Sequence, residues 1–346
     1  MRPPASPRPT PAAISGSLVA WFRENGRDYP WRRTRDPYAI LVSEVMLQQT
    51  QISTVLDRGY YSRWLDRFPD FATLAVAAEA DILRAWEGLG YYRRARNLQR
   101  LAQIVIDRHG GVFPDQPAQI RALPGIGPYT AGAVASFAFG LPEPIVDGNV
   151  ARVLARLFND DTPVDSTAGS KKLWQRATDL VSVTTDPRAL NSALMELGQT
   201  VCKSGKPLCD ECPLRGLCTA QDPENLPAKN TRPTLTAVTE RVFFSISDGR
   251  VLLEQETGGR RTGLWKLPAL PTTDTAVPKL LLKTTYGITR YKVTLWVHAA
   301  PDAAATDLPD AHRWIEAADL PKVAMPSPYR RALESLLRDQ QFRLVP

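Results

Sequence analysis

The stretch A-L-P-G-I-G-P-Y-T-A-G-A-V-A-S-F, residues 122–137, places two prolines and two glycines in five consecutive positions between two segments of helical pattern. This arrangement predicts two helices that meet at a turn too tight for most residues. Gly125 and Gly127 let another backbone approach closely, and the second helix begins with backbone N–H groups that have no helical partner. Two interpretations are open from this stretch alone: a phosphate-binding turn, or a plain helix–helix connection that needs glycine for its shape.

The four cysteines form a second constraint, because all of them fall within 17 consecutive positions, as Cys202, Cys209, Cys212 and Cys218. The sequence begins without an apolar signal-peptide core, so we do not expect the protein to be secreted. Disulfides are typical of secreted proteins, and we therefore expect the four cysteines to form a metal site. Tetrahedral zinc is one alternative. The spacing C-x6-C-x2-C-x5-C contains only one C-x2-C pair, whereas zinc ribbons commonly have two, and this favours an iron–sulfur cluster.

The length of 346 residues predicts two domains. Residues 1–12 are rich in proline and predict a disordered tail, whereas residues 13–220 follow helical patterns, with a single helix predicted over 37–56. Residues 221–235 are polar and proline-rich, as in a linker. Residues 236–346 contain three strand-like runs and a closing helix. The predicted fold class is therefore multidomain, with an all-α domain followed by an α+β domain.

Hydropathy argues against a membrane protein, and the net charge permits a nucleic-acid-binding protein. No apolar run approaches the roughly 18–20 residues that a membrane span needs, so we expect no membrane association. The net charge of +7 is compatible with a nucleic-acid partner, although ordinary variation also produces such a balance.

Four motifs in the same order carry a resemblance to one superfamily. L-P-G-I-G-P-Y-T-A-G-A-V resembles the helix-hairpin-helix motif of the base-excision DNA glycosylases related to endonuclease III. I-V-D-G-N-V-A-R-V-L-A-R-L resembles their aspartate segment, and the cysteine spacing matches their [4Fe–4S] loop, here residues 202–218. P-W-R-R-T-R-D-P-Y-A-I-L-V-S-E-V-M-L-Q-Q-T-Q and G-L-G-Y-Y-R-R-A-R-N-L are similar to the adenine glycosylase branch, MutY. The resemblance implies a helical glycosylase domain with its hairpin at 122–137, followed by a Nudix-like domain.

Two carboxyl groups are the candidate catalytic pair. Glu44 lies in the apolar run I-L-V-S-E-V-M-L, where it is either on a solvated helix face or in a pocket that raises its pKa. Asp147 stands where a helix N-cap is expected, a position that aspartate favours whatever the function. By resemblance, Glu44 protonates adenine at N7 and Asp147 stabilises the sugar as it becomes cationic. Asn149 would position Asp147.

Tyr129 decides the subtype within the resemblance. The bifunctional relatives of endonuclease III carry a lysine at this hairpin position, which forms a Schiff base and leads to strand cleavage. A phenol cannot form an imine, so the resemblance implies a monofunctional glycosylase that uses water as the nucleophile. Tyr129 either hydrogen-bonds near Asp147 and closes the pocket, or only packs on the hairpin. Gly125 and Gly127 would contact the DNA backbone.

Base removal requires the target base to leave the duplex, which needs both a pocket and wedge residues. By resemblance, Gln49 and Tyr91 match the intercalating positions, and Arg32 and Trp31 match residues that line the adenine pocket. Glu196 would read the adenine amino group. Without the resemblance, Trp31 and Tyr91 would be interpreted as core aromatics.

The C-terminal part adds an expectation about the opposite base. G-R-R-T-G-L-W-K-L-P-A-L resembles the Nudix-like domain of MutY, but the glutamate run R-E-x-x-E-E of a working Nudix hydrolase is absent after it. The domain should therefore bind and not hydrolyse nucleotides. MutY reads 8-oxoguanine through a Phe-Ser-His loop, and Ile288, Thr289 and Arg290 occupy the aligned place. We expect Thr289 and Arg290 to contact the lesion strand, although the aromatic ring and the imidazole are absent.

The resulting prediction is a monomeric, cytoplasmic adenine DNA glycosylase of the bacterial nucleoid, acting on double-stranded DNA with A·8-oxoguanine or A·G mispairs. Two alternatives are open. A thymine glycosylase acting on G·T mismatches shares the hairpin tyrosine. A non-catalytic iron–sulfur DNA-binding protein would need neither Glu44 nor Asp147.

Overall fold

A computed structural model describes residues 9–230, 234–258, 261–270, 278–288, 290–301 and 309–343. These residues form two compact units. The first comprises residues 9–54, 65–75 and 98–230, and the second comprises residues 55–64, 76–97 and the described residues from 234 onward. Among the described residues, no helix combines the length and the apolar composition that a bilayer span requires.

Residues 9–230 contain α-helices and no strand, which confirms the prediction of an all-α region. The helices are α1 (Pro11–Asn25), α2 (Pro37–Met46), α3 (Ile52–Asp57), α4 (Tyr60–Arg67), α5 (Phe71–Val76), α6 (Glu79–Ala85), α7 (Arg93–His109), α8 (Pro117–Ala122), α9 (Pro128–Phe139), α10 (Gly148–Leu157), α11 (Thr167–Val181) and α12 (Pro187–Thr200). Short 3-10 helices lie at Pro30–Arg32 and Cys209–Glu211.

Helix α1 begins earlier than the sequence predicted. The Thr10 hydroxyl accepts a hydrogen bond from the Ala13 N–H at 3.3 Å, and Pro11 occupies the first turn, where its missing N–H is not needed. The helix therefore starts inside the predicted tail of residues 1–12, of which residues 1–8 lie outside the described part of the chain. The prediction of a disordered tail is therefore wrong for residues 11 and 12, which are helical.

The single helix predicted over residues 37–56 is also wrong. Helix α2 ends at Met46 and α3 begins at Ile52, because Gln49 has φ 58°, in the left-handed region that a right-handed helix cannot contain. Residues 38–46 are all buried. A helix that is buried on every side lies inside a domain, and α2 packs against α9, which is itself mostly buried.

Two features position the site in the first unit. The turn between α8 and α9 contains Gly125 at φ 78°, a conformation that glycine adopts without strain, and α9 begins directly after Gly127. Helix α10 packs on α12, and α12 packs on α1, around one apolar core. The core includes Ile14, Leu18, Ile145, Val150, Leu154, Leu173, Leu190, Leu194 and Leu197.

The C-terminal residues form two sheets and a helix, which confirms the predicted α+β organisation. The elements are β1 (Thr236–Phe244), β2 (Ile246–Ser247), β3 (Arg250–Gln255), β4 (Trp265–Lys266), β5 (Leu280–Ile288), β6 (Tyr291–Ala299), β7 (His312–Glu316), a 3-10 helix (Ala317–Lys322) and α13 (Ser327–Arg343). One sheet has the order β1-β6-β5, with β1 parallel and β5 antiparallel to β6. In the other, β2, β4 and β7 pair with β3.

The sequence did not predict strand β5. Its residues L-L-L-K-T-T-Y-G-I open with three leucines in a row, which hide the alternation in the sequence, although half-buried and exposed residues alternate from Leu281 to Ile288 in the structure. Strand β5 forms through its pairing with β6, a tertiary contact that a local pattern does not encode. Helix α13 supplies Tyr329, Leu333 and Leu336 to the apolar core of this part.

Candidate active site

Glu44 is buried within α2, with only 4% of its surface exposed. Burial raises its pKa to about 7, since the charged form loses its hydration. A hydrogen bond from Tyr129 lowers this pKa, the negative charge of Asp147 raises it, and the positive charge of Arg32 lowers it. Of the two environments expected for Glu44, a solvated helix face or a pocket that raises its pKa, the structure contains the pocket. A carboxyl with this pKa is protonated in a large fraction of molecules near neutral pH, as a general acid requires.

Tyr129 reaches Glu44 from the first turn of α9. Its hydroxyl donates a hydrogen bond to the Glu44 carboxyl, and also lies 3.9 Å from Met195 Sδ, which is a weak acceptor by comparison. Burial raises the pKa of Tyr129 well above its usual value, and the charges of Glu44 and Asp147 raise it further. The phenol therefore remains a hydrogen-bond donor at physiological pH.

Asp147 caps α10 and is held by two donors. Its Oδ1 accepts a hydrogen bond from the Val150 N–H at 2.7 Å, and its Oδ2 accepts one from Asn149 Nδ2 at 2.9 Å. The unpaired N–H groups at a helix N-terminus stabilise a carboxylate at this position. The N-cap geometry thus fixes the direction of Asp147, while its charge acts on Glu44.

Sequence reasoning missed Arg152, which supports Asn149. Arg152 Nη2 donates to Asn149 Oδ1 at 2.9 Å and to the Gly198 carbonyl at 2.7 Å, while its Nε donates to the Cys202 carbonyl at 2.8 Å. Gly198 allows α12 to approach, because a Cβ there would lie 2.7 Å from the Cβ of Asn149. The helical spacing of Arg152 and Arg156 is the signal that could have revealed an arginine-bearing face on α10.

Glu196 and Arg32 form a buried ion pair. Glu196 is 0% exposed, with its Oε2 2.9 Å from Arg32 Nη2 and its Oε1 3.4 Å from Arg27 Nε. Neither oxygen accepts a well-aligned hydrogen bond, so the attraction is chiefly between charges. Sequence reasoning also missed Arg27. Trp31 is 8% exposed and stacks on Tyr29 with ring centroids 5.2 Å apart, in agreement with a core aromatic.

Three residues predicted to contact DNA lie on the surface of the first unit. Gly125 and Gly127 are exposed at the turn before α9, and Gln49 is exposed at the turn after α2. Gln49 lies beyond the end of α2 at Met46, so it does not share a helical face with Glu44. Because the backbone of Gln49 is in the left-handed region, its side chain leaves the chain in a different direction from that of a helical residue.

The other predicted contact residues belong to the second unit. Tyr91 is 45% exposed, so the alternative of a core aromatic does not apply to it. Arg290 is exposed, and its Nη2 donates to the Tyr291 hydroxyl at 3.0 Å. Ile288 ends β5, and Thr289 lies outside the described residues.

The cysteine loop is organised by a second arginine that sequence reasoning missed. Arg156 is 2% exposed and donates to the carbonyls of Lys203, Gly205 and Leu226 at 2.7–3.0 Å. Its Nη1 also lies 3.4 Å from Cys202 Sγ. A buried guanidinium that satisfies three carbonyls fixes the path of the loop around the thiols.

The four thiols influence one another electrostatically. Burial raises the pKa of Cys212 to about 11, a backbone hydrogen bond at Leu214 lowers it, and the charges of Cys202, Cys218 and Cys209 raise it. In the described part of the chain, no group of three or more His, Cys, Asp or Glu side chains already has the geometry to hold a metal ion. Four cysteine thiols are nevertheless the type of donor that an iron–sulfur cluster takes, and the positive charge of its iron atoms would favour their deprotonation.

Comparison with known proteins agrees with this geometry. The profile of the HhH-GPD superfamily base excision DNA repair proteins matches residues 42–177, which include Glu44, Tyr129 and Asp147. The human protein named adenine DNA glycosylase is 45% identical over 218 residues, which cover 60% of this chain and 39% of that protein. The chain thus spans about two fifths of the length of this curated relative.

Two solved structures share the fold. A thermostable thymine-DNA glycosylase matches with a TM-score of 0.55 and 30% identity, covering 60% of this chain and 95% of that one. An endonuclease III trapped in a covalent intermediate with DNA matches with a TM-score of 0.50 and 25% identity, covering 61% of this chain and 96% of that one. The chain belongs to the HhH-GPD superfamily of base excision DNA repair proteins.

Proposed function

We propose that the protein is an adenine DNA glycosylase that removes adenine mispaired with 8-oxoguanine or guanine from double-stranded DNA. The observation that carries this proposal is the buried Glu44, whose pKa of about 7 suits a proton donor and which lies beside Tyr129 and Asp147. The 45% identity to the human adenine DNA glycosylase supports adenine as the base.

The proposed reaction assigns a different step to each carboxyl group. Glu44 donates its proton to N7 of adenine as the C1′–N9 bond breaks and its electron pair leaves with the base. Asp147 stabilises the positive charge that develops on the sugar. A water molecule then attacks C1′, and the proton that it loses restores Glu44 to the acid form. Asn149 and the N-terminus of α10 hold Asp147 in place throughout.

Tyr129 supports hydrolysis without strand cleavage. Its phenol, kept protonated by a raised pKa, donates to Glu44 and cannot form an imine with the sugar. The product would therefore be an abasic site in an unbroken strand.

The four cysteines would hold a [4Fe–4S] cluster, which would supply positive charge to the thiolates and no redox step to the hydrolysis. Arg156 fixes the loop that carries the ligands. Arg152 connects the carbonyl of Cys202 to Asn149. The residues of this chain thus link the cysteine loop to the orientation of Asp147.

The DNA contacts belong to the same proposal. Gly125 and Gly127, with the N-terminus of α9, would bind a backbone phosphate. Gln49 of the first unit is exposed with positive φ and would act as a wedge when the base flips. Tyr91 of the second unit is likewise exposed with positive φ and would also insert into the duplex.

The last part of the proposal concerns the residues that recognise the two mispaired bases. Arg32 and Trp31 would line the adenine pocket, with Glu196 setting the charge around Arg32 and reading the adenine amino group. Thr289 and Arg290 of the Nudix-like domain would contact the strand that carries 8-oxoguanine. The enzyme would act as a cytoplasmic monomer on nucleoid DNA.

The likeness to a thymine-DNA glycosylase supports a second candidate, removal of thymine from T·G mismatches. Matched duplexes with A·8-oxoguanine, A·G or T·G, incubated with the protein and then with alkali, separate the two. We expect breaks at adenine only after alkali, and no adduct with DNA on borohydride treatment. Breaks confined to T·G would refute the adenine proposal.

Glu44→Gln tests whether the protein is an enzyme at all. We expect this variant to bind the A·8-oxoguanine duplex and release no base, whereas Glu24→Gln, at an exposed position of α1, should behave as wild type. A wild-type protein that binds the mispair and releases no base would favour the non-catalytic DNA-binding alternative.

A further inference from the structure

The segment of residues 86–92, here called the wedge loop, presents Tyr91 in an unusual conformation. Gly88, Gly90 and Tyr91 all have positive φ, of 101°, 67° and 47°. A residue with a side chain in the left-handed region costs on the order of 1 kcal/mol, so surrounding contacts must maintain it. Tyr91 is 45% exposed, while Trp86 at the start of the loop is fully buried.

Part of this support comes from within the loop and from α7. Trp86 Nε1 donates to the Gly90 carbonyl at 3.0 Å. Arg94 Nη2 donates to the Leu89 carbonyl at 2.9 Å, and its guanidinium lies 5.3 Å from the Trp86 ring and 5.6 Å from the Tyr91 ring. These contacts hold the shape of the loop but do not fix its position in the second unit.

The position is fixed by the C-terminal segment, which belongs to the same compact unit. Arg330 of α13 binds Glu87 through two parallel hydrogen bonds, from Nε to Oε1 at 2.7 Å and from Nη2 to Oε2 at 3.0 Å. The Met325 N–H donates to Glu87 Oε2 at 3.1 Å, and the Tyr92 hydroxyl donates to the Met325 carbonyl at 3.1 Å. Four hydrogen bonds therefore join the wedge loop to residues 325–330.

The Arg330 side chain is itself immobilised. It donates to the carbonyls of Leu320 and Val323 at 2.8 and 2.6 Å, and only 14% of it is exposed, with Glu87 at 10%. A bidentate pair with this little solvent is geometrically specific. Without Arg330, Glu87 would keep, among the described residues, only Arg84 as a charged partner, through the hydrogen bond from Arg84 Nη1 to Glu87 Oε2 at 2.9 Å, and would lose its anchor to α13. Glu87 and Arg330 belong to the second unit, whereas Glu44 and Asp147 belong to the first.

We propose that Arg330 is a positioning residue for Tyr91, acting through Glu87. The inference rests on the proposed function, in which Tyr91 enters the duplex and the C-terminal domain contacts the 8-oxoguanine strand. The domain that reads the opposite base then also fixes the wedge that helps to extrude the adenine.

Hydrogen exchange of the free full-length protein tests the anchoring without DNA. In Arg330→Ala, amides of residues 86–92 should exchange about tenfold faster than in wild type. Arg331→Ala, which changes an exposed arginine on the same helix, should leave them unchanged. Equal exchange in wild type and Arg330→Ala would overturn the inference. If Arg330→Ala fails to fold, Glu87→Gln preserves the shape and should show the same change at smaller amplitude.

A double-mutant cycle tests the functional part. Under single turnover on an A·8-oxoguanine duplex, we expect Arg330→Ala to slow adenine release about tenfold. The double variant Tyr91→Ala, Arg330→Ala should be no slower than Tyr91→Ala alone, because the two residues act through one element. Multiplicative losses would show that Arg330 acts by another route and would refute the inference. A wild-type protein without adenine release would refute the proposed function instead, and hydrogen exchange would still decide the anchoring.

Discussion

Glu44→Gln should make the protein inactive and at the same time more stable at alkaline pH. In the folded protein the pKa of Glu44 is about 7, against an ordinary value of 4.5. Because the folded pKa is the higher one, stability from the neutral carboxyl is fully present below pH 4.5 and is lost as pH rises through 7. A shift of this size corresponds to about 3 kcal/mol. The amide of glutamine has no such loss, since it carries no charge at any of these pH values.

Thermal unfolding of both proteins at about pH 5.5 and pH 8 measures the effect. Between these values the stability of Glu44→Gln relative to wild type should increase by about 2 kcal/mol, since part of the loss has already occurred at pH 5.5. For the helical unit, the Tm of Glu44→Gln minus that of wild type should therefore be roughly 4–8 °C greater at pH 8 than at pH 5.5. Adenine release should be absent from the variant at both pH values.

The control is Glu24→Gln, which removes a carboxyl that is exposed in the folded protein. Its Tm difference from wild type should be nearly the same at both pH values, since folding does not desolvate the group. A Tm difference between Glu44→Gln and wild type that is independent of pH would refute the reasoning. It would mean that Glu44 ionises in the folded state as easily as in water.

Three further predictions concern groups around the pair. Tyr129→Phe removes a hydrogen bond that lowers the pKa of Glu44, so the pH at which single-turnover adenine release is half lost should rise; a midpoint at or below that of wild type would contradict this. Arg152→Ala should slow adenine release by about ten- to a hundredfold through loss of charge-assisted hydrogen bonds, with little change in DNA affinity in a gel-shift assay, because Arg152 supports the residue that orients Asp147. Purified protein should contain about four iron atoms per chain, and Cys209→Ala should lose both the iron and its visible absorbance; full iron content in that variant would exclude Cys209 as a ligand.

The sequence predicts those parts of the site that depend on local chemistry. Asp147 as an N-cap follows from its place before an amphipathic helix, and the turn at Gly125 follows from the demand for positive φ. Both depend on a few neighbouring residues. The fold class is predictable for the same reason, since helical periodicity and strand-like runs occupy separate parts of the chain.

The parts that sequence reasoning missed depend on contacts between distant segments. Strand β5 pairs with β6, and the run of three leucines at its start hides the alternation that the sheet imposes on it. Arg152 and Arg156 look like ordinary polar residues of α10 until α12 and the cysteine loop pack over them. The break at Gln49 is likewise invisible in a run that keeps helical periodicity on both sides.

The two carboxyl groups differ because their backbones place them in different dielectric surroundings. Glu44 projects from the middle of a helix buried on every side, where no helix end offers it free N–H groups, so it gains stability by keeping its proton. Asp147 stands at a helix N-terminus, where two N–H donors stabilise its negative charge. That charge also raises the pKa of Glu44 and so opposes early loss of the proton. In the proposed reaction, the sugar becomes cationic as the proton moves to adenine, and this new charge offsets the repulsion between the two carboxylates. The proton transfer is therefore electrostatically favoured only when the glycosidic bond is breaking, which couples the two steps.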